Sequence, residues 1–224
     1  MIVEDCVQGS AAWHKARLGI PTASQFSRIF TAGGKVSTQA EAYMHTLLAE
    51  YFLGEPSGGE SQAFMDRGTR LEPAARSWYS YERNAEVRQV GICLSDDRMI
   101  GASPDALVGD DGILEIKCPS AAAHIGYLLD GKDIAKAYRP QVQGLLYVTD
   151  RAWVDLVTYS PASHNLTSRI VRVGREEGYI EELHAALSSF VLVLLAMRLR
   201  LQDLGCTPAT QLKLVAGQAS EDPF

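Results

Sequence analysis

SPDALVGDDGILEIKCP spans residues 103–119. Its centre, Asp110-Asp111-Gly112, is a strong turn signal between two short apolar runs, and this predicts a β-hairpin. Alternation along the second run puts Glu115 and Lys117 on one face of a strand and Ile116 on the other. A hairpin returns Glu115 to the neighbourhood of Asp105, so two carboxylates and one ammonium are expected at one spot. Ile113, Leu114 and Ile116 around them are residues of a buried strand. An Asp near a turn and a Glu-x-Lys on a strand are by themselves common and ordinarily solvate a surface. The proline before Asp105 and the Cys-Pro after Lys117 make this pattern far more specific.

Two carboxylates forced together repel, and each shifts its pKa unless a cation sits between them. Mg²⁺ suits such a place, because it takes oxygen ligands, keeps several waters and needs only one or two protein carboxylates. A metal pair about 4 Å apart activates a water and stabilises the leaving oxygen of a phosphodiester. Lys117 would orient that water or offset charge on the phosphate.

Outward from this stretch, helical signals cover residues 10–18 (Ser10 as N-cap, Gly19 as stop), 22–30 and 38–53. The last opens on a capping box, Thr38-Gln-Ala-Glu41, and stops at Gly54. A Gly/Ser/Pro-rich loop, residues 55–61, leads to a helix over 62–83, loosened near Gly68. Short apolar segments at 86–94, 99–103, 105–108 and 113–118 read as an antiparallel meander. Helices at 120–129 and 136–148, strands at 153–159 and 166–173, and an amphipathic helix at 176–204 complete the pattern. Its sum is an α/β (α+β) fold in one domain, residues 1–224, with a polar tail from about 205.

Of 224 residues, 46% are hydrophobic and 21% charged, as in a globular domain that needs no disulfide or metal staple. Cys6, Cys93, Cys118 and Cys206 lie far apart, with neither zinc spacing nor the close triplet of an iron–sulfur cluster, and are expected as free thiols. The N-terminus carries no signal-peptide pattern, and the longest apolar run, residues 190–197, is short of the ~20 residues that span a bilayer. A cytoplasmic protein without a membrane partner is expected. The net charge of −6 argues against a protein that coats nucleic acid non-specifically, though a local basic groove is compatible with it. Lys132, Lys136 and Arg139 are weak candidates for the rim of such a groove. Gly33-Gly34-Lys35 is not a phosphate loop, since the upstream glycine is missing and Val36 replaces Ser/Thr. The five histidines show no ligand spacing.

The chain resembles the PD-(D/E)xK nucleases, and within them the phage lambda exonuclease (YqaJ-like viral recombinase) family. The likeness is carried by AWHKARLGIPTAS (12–24), YMHTLLAE (43–50), GTRLEPAAR (68–76), SPDAL (103–107), LEIKCP (114–119) and AYRPQVQ (137–143). It implies a restriction-endonuclease-like core, a central mixed β-sheet flanked by helices. It also implies metal-binding roles for Asp105, Glu115 and the Ile116 carbonyl, and Lys117 as catalytic lysine. Glu72 matches an acidic residue that completes the catalytic site. Arg17 and Ser24 match residues that grip a DNA 5′-phosphate, and Ser103 lies beside the site. Tyr138 and Gln141 match a helical motif that lines it and are placed among the DNA-contacting residues. The resemblance also puts Trp13 at the DNA end, although burial is the commoner use of such an aromatic. Pro73 directly after Glu72 departs from the family pattern and fits only if a helix starts near Leu71. SPDAL replaces the common SPDGL, which disfavours a positive φ at residue 106.

The activity so implied is a Mg²⁺-dependent 5′→3′ exonuclease with two ions, Mn²⁺ being a possible substitute. It would digest one strand of linear duplex DNA to mononucleotides and leave 3′ overhangs. The implied setting is phage-type recombination, with a ring-shaped homotrimer and a single-strand-annealing partner. The competing readings are an endonuclease of the same superfamily, restriction or junction-resolving, and a catalytically inactive DNA-end-binding module.

Overall fold

A computed structural model describes residues 1–57, 62–129, 133–161 and 165–209; Lys132, His164, part of the 55–61 loop and the tail beyond 209 lie outside them. The predicted hairpin is present. Strand β5 (Ala106–Val108) pairs antiparallel with β6 (Gly112–Lys117), with Val108 opposite Gly112 across the turn. Ala106 is extended strand, so alanine in place of glycine carries no backbone penalty there. Around this hairpin a five-stranded sheet forms in the order β2-β5-β6-β7-β8, with β2 Val87–Arg88, β7 Trp153–Thr158 and β8 Arg169–Gly174. Only β6 and β7 run parallel, so the sheet is mixed. A parallel pair needs a crossover. Here the connection carries α4 (Ala121–Leu129), α5 (Ile134–Ala137) and α6 (Arg139–Thr149).

Residues 86–118 are not one meander. The segment 86–94 divides into β2 and β3 (Ile92–Leu94), and β3 joins β1 (Ile2–Glu4) and β4 (Gly101–Ala102) in a separate three-stranded sheet. The break falls beside Gly91, where any Cβ would collide with the Cys6 carbonyl of the N-terminal segment lying against it.

Alternation on β6 sorts the core. Ile113 faces the main cluster, which holds Phe26, Leu145, Leu146, Leu156, Leu183 and Leu187. Leu114 and Ile116 face a smaller cluster with Ala75 and Tyr79 of α3 (Gln62–Arg83). Helix α1 (Ala11–Arg17) starts as predicted, with the Ser10 hydroxyl accepting from Trp13 N at 3.2 Å. Residues 23–28 form a 3-10 helix rather than an α-helix; it packs closely on α6, with the Phe26 ring where a side chain on Gly144 would be. The capping box at Thr38 does not form: α2 (Ala40–Leu53) has Gln39 as N-cap without a side-chain bond, and Gly54 ends it at φ +72°. Helix α3 runs on through Pro73, so no new helix starts at Leu71. The 136–148 helix is cut at Tyr138, which caps both α5 and α6, with Pro140 in the first turn of α6. Helix α7 (Glu177–Asp203) is long and apolar enough to cross a membrane, but Leu183, Leu187, Phe190 and Leu194 pack into the main core. Cys6, Cys93, Cys118 and Cys206 are not joined in disulfides.

Asp155 on β7 locks α3 to the sheet. Its buried carboxylate receives Tyr79 Oη at 2.7 Å and a two-pronged Arg172 at 2.8 and 2.9 Å. Burial pushes its pKa up, but the Arg172 and Tyr79 hydrogen bonds outweigh burial and hold the carboxyl below its usual range. Asp155→Ala leaves the Tyr79 hydroxyl buried without this acceptor and is expected to cost about 2–4 kcal/mol in urea unfolding at neutral pH. Because the folded pKa is depressed, that stabilisation is present above the ordinary carboxylate range, about pH 4, and is lost as pH falls through the lower folded value. The gap between wild type and variant should therefore narrow in acid.

Candidate active site

Residues 103–105 bridge β4 and β5 without belonging to either strand. Asp105 is nevertheless fixed, because its Oδ2 accepts the Ile116 N–H at 2.5 Å. On β6, Glu115 faces α6 and meets Lys117 and Gln141 in a closed triangle. Lys117 Nζ donates to Glu115 Oε1 at 2.8 Å and to Gln141 Oε1 at 2.9 Å, while Gln141 Nε2 donates to Glu115 Oε1 at 2.6 Å. The ammonium also lies 4.6 Å from the centre of the Tyr138 ring, a cation–π distance. Strand alternation supplies Glu115 and Lys117, and the break at Tyr138 turns α6 so that Gln141 reaches them.

Glu72 approaches from α3 and is the least engaged member. Its own partner is Arg76 one turn on, at 3.8 Å, but its charge is felt by Asp105. The helix start near Leu71 on which the Glu72 assignment depended is absent, which weakens it: Glu72 acts on Asp105 through its charge and does not line the pocket shared by Asp105 and Glu115. Pro73 lacks the N–H that would bond the carbonyl of residue 69, a local loss that the helix absorbs.

A pocket of about 140 Å³ joins this cluster to α1. Asp105, Glu115 and Gln141 line it together with Arg17 and Ser24. Arg17 Nη2 donates to Thr22 Oγ1 at 3.2 Å and to Ser24 Oγ at 3.5 Å, and its guanidinium stacks 4.0 Å over the Trp13 ring. Trp13 Nε1 donates to Ser103 Oγ at 3.0 Å, and both residues line the pocket. A larger open groove of about 620 Å³ runs past Arg76 and Tyr81 and contains none of the predicted site residues. Lys136 and Arg139 stand apart from the pocket; Arg139 is paired with Glu176 and stacks on Tyr179. Two polar lining residues, Gln8 and Thr22, are not singled out by the sequence, nor are the apolar Ala23 and Leu145. Thr22 sits within the TAS motif, and the signal for Gln8 is only its place before the Gly9-Ser10 start of α1.

The electrostatics are those of crowded acids, buried or partly buried. Burial pushes the Asp105 pKa well up, and the charges of Glu115 and Glu72 add to it, against the opposing Ile116 N–H and Lys117. Burial likewise raises Glu72. Burial pulls the Lys117 ammonium down, yet Glu115 and Asp105 reverse this and leave its pKa raised. Glu115 Oε2 is buried without a hydrogen-bond partner. Among the described residues there is no cage of three or more His, Cys, Asp or Glu side chains. Two carboxylates, one with an unpartnered buried oxygen, fit a cation that keeps its waters, such as Mg²⁺. Asp105 and Glu115 could hold it, with the adjoining Ile116 backbone.

These charges yield a stability test. With its pKa raised, native Asp105 keeps a proton that the unfolded chain has already lost, so metal-free protein loses stability as pH rises above about 4. Asp105→Asn, which can still accept the Ile116 N–H, should raise the melting temperature in a chelator at neutral and alkaline pH. Each unit of pKa elevation is worth about 1.4 kcal/mol, and the advantage should vanish below about pH 4.

Residues 12–152 match the YqaJ-like viral recombinase domain. An alkaline exonuclease from Laribacter hongkongensis is 32% identical, with a TM-score of 0.78, over 88% of this chain and 98% of that one. The structure of that exonuclease in complex with dAMP matches at 33% identity and TM-score 0.77, with the same coverage, 88% and 98%. A phage-related exonuclease from Haemophilus somnus 129PT is 15% identical with a TM-score of 0.63 over 80% of this chain and 96% of that one, a likeness of fold alone. No curated protein matches the chain. The core seen here is the restriction-endonuclease-like fold of these alkaline exonucleases, and the chain belongs to the YqaJ-like viral recombinase family.

Proposed function

We propose that the protein is a Mg²⁺-dependent exonuclease that degrades one strand of linear duplex DNA from a phosphorylated 5′ end, releasing mononucleotides and leaving a 3′ overhang. The observation that carries this reading is the continuous pocket from Arg17 and Ser24 to Asp105 and Glu115. A guanidinium and hydroxyls are suited to a terminal phosphate, and the carboxylate cluster beyond them is suited to cleaving the next ester. The related Laribacter exonuclease was solved with dAMP, a mononucleotide.

In this reading Asp105, Glu115 and the Ile116 carbonyl hold the metal, with Mn²⁺ an alternative to Mg²⁺. When bound, the metal lowers the pKa of water and offsets negative charge on the phosphate. Lys117, held as an ammonium by Glu115, neutralises charge developing on the scissile phosphate. Gln141 keeps Lys117 and Glu115 in register by bonding both. Glu72 completes the acidic rim, and Tyr138 screens Lys117 from solvent. Arg17 and Ser24 take the 5′-phosphate, Trp13 lies against the terminal base, and Ser103 orients the Trp13 ring. A homotrimeric ring around the duplex would suit a chain of net charge −6, since enclosure replaces electrostatic attachment. The 3′ strand would then pass to a single-strand-annealing protein in phage-type recombination.

Linear and covalently closed duplexes incubated with Mg²⁺ separate the exonuclease from an endonuclease. Linear DNA should yield mononucleotides and the closed circle should persist; nicking or linearisation of the circle would favour the endonuclease. Removal of the 5′-phosphate should slow degradation at least about tenfold in wild type, and Arg17→Ala should abolish the difference, as expected for a charge-assisted contact of about 1.5–3 kcal/mol. Lys117→Ala should lower kcat by about 100-fold or more while DNA binding persists. Near-normal cleavage by that variant would overturn the assigned chemistry.

A further inference from the structure

The tripeptide Ser103-Pro104-Asp105 is tied down at three successive residues by three different parts of the chain. Trp13 on α1 bonds Ser103, Ile116 on β6 bonds Asp105, and Gln8 bonds Pro104. Gln8 Nε2 donates to the Pro104 carbonyl at 2.7 Å and to the Val90 carbonyl at 3.0 Å, and the side chain forms part of the pocket wall. Gln8 precedes the matched family segment, residues 12–152, so motif spacing could not have assigned it.

The effect of this contact follows from covalent geometry. Residues 103–105 lie between strands. Proline has no N–H, so the carbonyl is the one main-chain hydrogen-bonding handle at residue 104. The peptide unit is planar; holding the Pro104 oxygen therefore fixes the plane that carries the Asp105 nitrogen and Cα. The Ile116 N–H then sets the carboxylate on that fixed base. One amide group satisfies both carbonyls, and Gly9 at φ +80° makes the turn that brings Gln8 inward ahead of the Ser10 cap. We propose that Gln8 is a positioning residue for Asp105: its amide clamps the Pro104 carbonyl and so sets the Asp105 carboxylate against Glu115. The assignment rests on the metal-nuclease reading above.

The test compares wild type with Gln8→Leu, which keeps the bulk and loses the donor, and Gln8→Glu, which keeps the shape but, ionised at alkaline pH, carries no donor. On linear duplex both variants should lose roughly 10- to 100-fold in kcat with KM for DNA ends unchanged, the range for loss of a contact that orients a metal ligand. Mn²⁺ affinity, read without DNA from the spin-resonance signal of the free ion, should fall over the same range. Thermal melts establish that the variants are folded at the assay temperature, and Gln8→Glu supplies the measurement if Gln8→Leu does not fold. Folded variants with wild-type kcat and Mn²⁺ affinity would overturn the Gln8 assignment alone. A wild-type protein that neither cleaves DNA nor binds Mn²⁺ would overturn the nuclease reading and this assignment with it.

Discussion

Asp105 and Glu115 line one pocket, Lys117 is paired with Glu115, and the charge of Glu72 on α3 adds to theirs. Such a cluster is costly in an apolar interior, because burial and mutual repulsion both act against the ionised carboxylates. The fold contains the cost in particular ways. Glu115 is pinned by Lys117 and Gln141, Asp105 by the Ile116 N–H, and Glu72 leans on Arg76. One Glu115 oxygen still lacks a partner. The contrast with Asp155 is instructive. That carboxylate is also buried, yet every neighbour is a donor, and its pKa is held down rather than driven up. The first acid is satisfied by its donors, whereas the cluster keeps an unpartnered oxygen that the proposed function assigns to a cation.

The same arrangement explains why the sheet is mixed. Antiparallel pairing of β5 with β6 brings Asp105 back to Ile116, and parallel pairing of β6 with β7 forces the crossover that delivers α6. Gln141 on α6 could not reach Glu115 from a simple hairpin connection. The pocket then extends to α1, where Arg17, Trp13 and Ser24 stand. Trp13 links the Arg17 side of the pocket to Ser103, with Arg17 stacked on its face and its N–H on Ser103.

Much of this was legible in the sequence. Asp110-Asp111-Gly112 marked the hairpin, alternation placed Glu115 with Lys117, and the ordered motifs brought Glu72, Arg17, Ser24 and Gln141 to the neighbourhood of one site. What was not legible depends on tertiary contact. The capping box at Thr38 was a local pattern that the packed chain does not use. The 3-10 form of residues 23–28 goes with the close fit of Phe26 to Gly144, two residues far apart in sequence. Division of the expected meander between two sheets hangs on Gly91 packing under the N-terminal segment. Pro73 pointed to a helix start, but α3 carries the proline internally. Gln8 contacts only backbone carbonyls, Val90 and Pro104, and no residue-type pattern encodes such a contact.

The central claim is that the Asp105–Glu115 cluster is a cation site. Crystals soaked in Mn²⁺ and measured near the manganese absorption edge test it most directly. The account predicts an anomalous peak between the Asp105 and Glu115 carboxylates, beside the Ile116 carbonyl. An ordered site without a peak, or manganese bound only elsewhere on the protein, would contradict it.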